Sequence, residues 1–418
     1  MLRSRERLGR RRARLLLLGV AVAGVALSAC NATAHTVATT VMAPPPGCDT
    51  SRVIVVGASL DLSGPGAELG HQYLTGLELG IAKVNAANGV PPHNSCFELM
   101  YKDNSGNPAV DTQAVLNFVD SEKAAIVVSS FLNSATDSFL GQLGVAEISL
   151  STLQDTFEPK GFPNAYPMTA SMQSQAFVIG KELKTKDVTS VGLVVTDDAS
   201  SRQGAAHFAS LASADGFTIT SRASVSTSGG GASAAVARVK ASHPKVLVVL
   251  DDTGAVASVL SARASLGWKV PVIAGPTATF SSVFSKIGGD VAGVSVAVPT
   301  GAVTGTGPAS GITFGFQKKL AAHLGGQIRG SIIPYAQTYD AMNMMANAAV
   351  GAMGITATDV TTFLQNANFQ GVLASYTYTS GAHTGISASD QTVVALNTLS
   401  NGLLSPPPKP KKAAKKTG

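Results

Sequence analysis

Residues 53–89, "VIVVGASLDLSGPGAELGHQYLTGLELGIAKVNAANG", join an apolar run, Val53 to Val56, to a loop holding Gly64, Gly66 and Gly70, and then to a long helical pattern. In that pattern Tyr73, Leu77, Ile81 and Val84 recur at spacings of 4, 4 and 3, which makes one apolar stripe for burial against a sheet. Strand, glycine loop and helix in this order are also the parts of a phosphate-cradling unit. Two features count against phosphate. Eight residues separate Val56 from Pro65, so the glycines do not open the helix directly off the strand. Apart from Asp103, no acidic residue ends the second strand where a ribose would need one.

The same unit repeats along the chain. Strand patterns fall at 53–58, 97–102, 125–129, 147–150, 190–196, 217–222, 245–250, 271–274 and 293–298, with amphipathic helical patterns between them. One of these helices opens on Asn107 as N-cap with Pro108 at its first position. Alternation of this kind implies parallel sheets covered by helices on both faces. Loop-like breaks at 166–175 and 298–311 divide the series into two sets. Helical patterns at 311–324, 334–352 and 357–366 and a β-rich end complete it. The expected fold class is α/β: two Rossmann-like lobes joined by crossover hinges, with a ligand at the carboxyl ends of the strands where the lobes face each other.

The ends of the chain speak to compartment. Seven arginines precede Leu15, and Leu15 to Ala29 is an uncharged run of fifteen residues, short for a permanent span of about 30 Å of hydrocarbon. This reads as a signal peptide over 1–29. The paired arginines point to twin-arginine export, but Arg14 stands where that motif has an apolar residue, so the general route stays open. Leu27-Ser28-Ala29-Cys30 resembles the lipobox of bacterial lipoproteins, which would lipidate Cys30 and anchor the protein outside the cytoplasm; the alternative is a structural cysteine in an uncleaved anchor. Residues 30–49, rich in Ala and Thr and containing Pro44-Pro45-Pro46, read as a tether with too little apolar surface to fold. Residues 403–418 read as a disordered basic tail, for anionic head groups or wall polymers, or simply for solubility.

The first 29 residues carry seven Arg against one Glu and the tail carries five Lys, so of the formal +6 the residues between hold −5. A mildly acidic folded part with 6% aromatic residues has no nucleic-acid footprint. Cys48 and Cys96 each sit just before one of the first two strands. Those strands are neighbours in an open parallel sheet and begin at the same edge, so an exported protein can bridge the two thiols; two free thiols are the alternative.

Enzyme chemistry is not evident. The chain has no G-x-S-x-G elbow, Walker loop or H-E-x-x-H, and its seven histidines show no metal spacing, so neither a metal nor a cofactor is expected. Two carboxylate pairs end lobe-two strands, Asp197-Asp198 and Asp251-Asp252. One member of each pair, Asp198 and Asp252, is expected to cap the next helix, which leaves Asp197 and Asp251 for the cleft.

The residues resemble the extracytoplasmic solute-binding proteins of ABC transporters, in the leucine/isoleucine/valine-binding branch of the type I periplasmic binding fold. The resemblance covers residues 52–398. It rests on "GASLDLSGPGAELG", "YKDNSGNPAVDTQAV", "VVSSFLNSATDS" followed by "ISLST", "SLGWKVPVIAGP" and "YAQTYDAMNMMANAA". It implies lobe 1 over 50–170 and 300–370, lobe 2 over 171–299 and 371–402, and hinges at Thr169–Gln173, Pro299–Thr304 and Gln370–Ala374. It implies a monomer that closes over a small amino-acid-like, amide or carboxylate ligand and hands it to permease subunits. In that family the third and fourth loops of lobe 1 hold the ligand carboxylate; here they offer Ser130, Asn133, Ser134, Ser151 and Thr152, of which Asn133 and Ser134 could equally cap a helix. Ser63, Leu69, Gln173, Asp197, Ser201, Asp251, Thr253 and Thr277 complete the expected site.

Lobe 2 departs from the family pattern. Thr277 follows "GP" where amino-acid binders place an acid for the ligand ammonium, and Ser201, Arg202 and Gln203 stand where a Tyr-Gly is common. Leu69 stands where an aromatic often walls the pocket. A buried ammonium without a counter-charge costs several kcal/mol, so an amino acid would need Asp197 or Asp251 as a substitute partner. A sensory or scaffold protein of the same fold without transport, or an exported α/β enzyme, are the other readings.

Overall fold

The run that opens at Val53 lies inside a six-stranded sheet of a computed structural model that describes residues 39–406, apart from 47, 50–51, 92, 288–290, 306–309 and 398. The signal peptide expected over 1–29, Cys30 and the lysines of the tail lie outside the described residues.

In chain order the strands of the first sheet are β1 (Thr40–Met42), β2 (Ile54–Leu60), β3 (Phe97–Asp103), β4 (Ile126–Ser129), β5 (Ala146–Ser149) and β6 (Ala165–Pro167), in the spatial order β1-β3-β2-β4-β5-β6. All neighbours from β3 to β6 are parallel. The helices interleaved with them are α1 (Ala67–Ala86), α2 (Pro108–Asp120) and α3 (Ser134–Gln142). Along β4, Ile126 and Val128 face one core and Val127 the other, so both faces are covered and the strand reads as one apolar run. Asn107 caps α2, accepting from the backbone N–H of Ala109 and Val110, with Pro108 at the first position as expected.

The tether expectation is corrected at its C-terminal part. Thr40–Met42 pairs antiparallel with β3, Thr40 opposite Tyr101 and Met42 opposite Leu99, because β3 would otherwise leave a row of unpaired backbone groups at the sheet edge. Cys48 and Cys96 form the expected disulfide, with Cα atoms 5.7 Å apart at the shared starting edge of β2 and β3.

The second lobe follows with α4 (Met172–Thr185), β7 (Ser190–Thr196), α5 (Ala199–Asp215), β8 (Thr218–Val225), α6 (Ala232–Lys240), β9 (Val246–Leu250), α7 (Val256–Ser265), β10 (Val272–Ala274), α8 (Ser281–Ile287) and β11 (Val294–Pro299). The chain then returns to lobe 1 with α9 (Ser310–His323), α10 (Ile333–Ala352) and α11 (Ala357–Leu364). Helix α10 is buried along most of its length and lies against α1. A Cβ on Gly76 of α1 would stand 2.1 Å from the Tyr335 carbonyl oxygen, so only glycine lets the two helix backbones approach this closely.

The β-rich end divides between the lobes. A small sheet of β12 (Asn368–Gln370), β13 (Ser375–Thr379) and β14 (Ala382–Ile386) packs on lobe 1: Asp340 of α10 accepts from the N–H of Val372 and Leu373, Tyr378 Oη donates to the Pro167 carbonyl at 3.0 Å, and His383 Nδ1 lies 2.6 Å from the Ala165 carbonyl. Then β15 (Gln391–Ala395) crosses to lobe 2 and pairs antiparallel with β11, giving the spatial order β15-β11-β10-β9-β7-β8. The expectation of 371–402 in lobe 2 is therefore corrected: 371–386 belong with lobe 1, held there by a buried carboxylate and three buried rings. The crossing expected at Gln370–Ala374 lies instead at 387–390, between β14 and β15. The last described residues return to lobe 1, where Leu404 bonds to Ala302 and Thr304 and is fully buried, so the expectation of a tail from 403 is corrected for Leu403 and Leu404.

Candidate ligand-binding site

Parallel strands that end at one edge deliver their loops to one cleft. The loops after β2, β3, β4 and β5 of lobe 1 and after β7, β8, β9 and β10 of lobe 2 enclose a cavity of about 710 Å³. The lobes touch beside it. Gln203 of α5 accepts from the Gln154 N–H at 3.0 Å, and Ser281 of α8 hydrogen-bonds both Gln72 and Glu68 of α1. In the cavity itself Thr152 of lobe 1 donates its hydroxyl to Asp252 of lobe 2 at 2.5 Å.

The glycine loop that opened the sequence forms the lobe-1 wall. A Cβ on Gly70 would stand 1.8 Å from the Asp61 carbonyl oxygen, so glycine is required for the first turn of α1 to fold back against the end of β2. That turn brings Leu69, Tyr73 and Asp61 to the cavity. The glycines shape this wall by allowing close backbone packing.

Of the expected residues, the cavity brings together Leu69, Ser130, Ser151, Thr152, Asp251, Thr253 and Thr277. The others lie off its lining. Ser63 is exposed at the loop tip, its hydroxyl 2.8 Å from that of Ser105. Asn133 caps α3, accepting from the N–H of Ala135 and Thr136, and Ser134 is the first residue of that helix. Gln173 turns away on α4 and Gln175, two positions on, lines the cavity instead. Ser201 is fully buried, with its N–H given to Asp198, the N-cap of α5. Asp197 is exposed and paired with Arg202 at 2.6 Å.

The second carboxylate pair is interchanged relative to expectation. Asp251, 1% exposed, is the one turned inward: it accepts from the N–H groups of Thr253, Gly254, Ala255 and Val256 and from the hydroxyls of Thr196, Thr253 and Thr277. Thr277, the residue in the place of the family's acid, is thereby committed to Asp251. Asp252 is the carboxylate left for the cavity. Burial, with the negative charges of Asp198 and Asp251 beside it, pushes its pKa up to about 7. Tyr73, also on the lining, has its hydroxyl pKa raised by burial and by Asp252.

Sequence reasoning missed Asp61, Tyr73, Gln175, Asp252 and Gln337. Asp61 carried a usable signal, since it follows β2 as Asp251 follows β9. Among the described residues no group of His, Cys, Asp or Glu has the arrangement of a metal site. None of the helices described is long and apolar enough to cross a membrane.

Two lobes, each a mainly parallel sheet with an antiparallel edge strand and helices on both faces, and a cavity between their loops define the type I periplasmic binding protein fold. Residues 53–397 match the periplasmic binding protein family, and the chain belongs to it. Solved structures share the architecture at low identity. An extracellular ligand-binding receptor from Rhodopseudomonas palustris HaA2 superposes with TM-score 0.74 at 16% identity, over 84% of this chain and 99% of its own. A solute-binding protein of an ABC transporter from Rhodopseudomonas palustris BisB5, in complex with 3,4-dihydroxybenzoic acid, superposes with TM-score 0.68 at 16% identity, over 79% of this chain and 89% of its own. A third, the solute-binding protein of an ABC transporter from R. palustris in complex with 4-hydroxybenzoate, has TM-score 0.69 and 15% identity, over 84% and 95%.

Proposed function

We propose that this protein is an extracytoplasmic solute receptor that closes two lobes over one small polar molecule and delivers it to the permease of an ABC importer. The observation that carries the reading is the Thr152–Asp252 hydrogen bond, a contact that exists only while the lobes are together and that lies inside a cavity of ligand size. A ligand that adds contacts to both lobes favours the closed arrangement by its differential affinity for it. The segments 168–171, 299–302 and 387–390 would carry the bending. Ser130, Ser151, Thr152, Leu69 and Thr253 would touch the solute directly, with Asp251 and Thr277 fixing the lobe-2 loop.

An amino-acid-like molecule, an amide or a carboxylate is the solute range that the family implies, and two proteins of similar fold hold hydroxylated benzoates. A lipid on Cys30 would keep the receptor, acting as a monomer, at the outer face of the membrane where the permease is. The test pairs titration calorimetry with small-angle scattering on the processed protein. A ligand that binds with 1:1 stoichiometry and reduces the radius of gyration supports the reading. Turnover of that ligand, or binding with no change in shape, contradicts it.

A further inference from the structure

The donors and acceptors around the cavity are unequal in a way that names the solute. Its lining holds four carboxylates, Asp61, Asp198, Asp251 and Asp252, and among the described residues that line it there is no Lys, Arg or His. Four buried acceptor atoms on the lining have no hydrogen-bond partner: Asp61 Oδ1, Asp198 Oδ2, Gln175 Oε1 and Gln337 Oε1. Gln175 and Gln337 are 3% and 6% exposed, and Gln175 gives its amide N–H to the Ala170 carbonyl at 3.1 Å, which fixes its oxygen as the free end.

Several of the backbone donors that an anion would need are already spent. In the third and fourth lobe-1 loops, the N–H of Phe131 goes to Ser129 Oγ at 3.0 Å, that of Ser151 to Ser149 Oγ at 3.3 Å, and that of Leu153 to Ser151 Oγ at 3.1 Å. Thr152 Oγ1 is given to Asp252. A ligand carboxylate placed here would meet acidic oxygens with only hydroxyls and, among the described residues, no cationic side chain to receive it, whereas each orphaned acceptor is satisfied by an N–H of a cation.

We infer that the cavity takes a cationic solute, an ammonium- or guanidinium-bearing molecule with an apolar body, held by Asp252 and Asp61 from opposite lobes and by the amide oxygens of Gln175 and Gln337. Leu69, Phe280, Val283 and Ile386 line the apolar remainder. The inference rests on the cavity being the solute site. It differs from the benzoate-bound proteins of similar fold in the sign of the ligand charge.

The experiment is a calorimetric and thermal-shift comparison of matched probes on the processed full chain: phenethylamine and agmatine as cations, 3-phenylpropionate and 4-hydroxybenzoate as anions, and 2-phenylacetamide as a neutral control. The expected result is binding of a cation, weakened at least tenfold by Asp252→Asn, with the melting temperature of the free variant at or above that of the parent. Asp61→Asn gives an independent loss should the first variant fold poorly. If an anion or the neutral amide binds with 1:1 stoichiometry and no cation does, the cationic inference is overturned while the receptor reading stands. Cation binding that neither substitution weakens also overturns it. Absence of binding by every probe, together with protein that carries no small molecule when isolated from its own cells, overturns both.

Discussion

Thr152 and Asp252, one hundred positions apart in the chain and on different lobes, are joined by a 2.5 Å hydrogen bond in the cavity. Asp252 thereby meets lobe 1 through a single hydroxyl, although burial and two neighbouring carboxylates oppose its charge. Replacing Thr152 with Val removes the donor at nearly constant shape. A hydrogen bond to a charged group contributes about 1.5–3 kcal/mol, so Thr152→Val should weaken solute binding by roughly tenfold or more. Because the bond links lobes and lies outside either core, the melting temperature of each lobe should stay nearly unchanged. Calorimetry and thermal unfolding on the same sample check both halves.

Several buried carboxyls make stability depend on pH in one direction. Burial pushes Asp252 and Asp340 up to about 7 and Asp137 up to about 6, and raises Glu147, which is also beside Asp137. In the unfolded chain these groups ionise near pH 4. Between pH 4 and 7 the folded state therefore holds more protons than the unfolded one, so their contribution to stability is full below about pH 4 and is lost as pH rises through their folded values. The melting temperature of the ligand-free protein should be higher at pH 5 than at pH 8. A higher value at pH 8 would contradict this.

Glu147 and Asp137 are fully buried side by side, so burial and mutual repulsion both oppose the charge on Glu147. Glu147→Gln removes the charge that burial disfavours and keeps the shape. It should raise the melting temperature at pH 8 and flatten the pH dependence between 5 and 8. A lower melting temperature at pH 8 would show that the pair is needed in its ionisable form.

The close α1–α10 crossing depends on Gly76. Gly76→Val drives a branched side chain into the Tyr335 carbonyl and should cost about 1–3 kcal/mol, readable as a lower urea midpoint with unchanged slope. The Cys48–Cys96 bridge ties the edge at which β2 and β3 begin; its removal by Cys48→Ser with Cys96→Ser should cost about 2–4 kcal/mol by the same measurement.

The lobes were legible in the sequence because strands covered on both faces are nearly continuous apolar runs, and the helices between them carry a single stripe. Assignment of the C-terminal strands was not. The pattern of 375–386 gives strands, but which lobe covers them is decided by Asp340, Tyr166 and the Pro167 carbonyl, more than 30 residues away in every case. At the site, the strand-end rule found the loops and some of the side chains. It could not tell Asp251 from Asp252, since the choice lies in which neighbour the hydroxyls of Thr196 and Thr277 reach. Gln175 and Gln337 sit in helices, where a polar residue reads as solvent-facing until the opposing lobe is known.

The most direct test of the account is native mass spectrometry of the protein, isolated gently from the cells that make it and compared with its Thr152→Val variant. The account predicts a population carrying one small molecule that dissociates on denaturation and is depleted in the variant. Protein that is empty in every preparation, and that shifts its melting temperature with none of the cationic, anionic or neutral solutes tested, would contradict it.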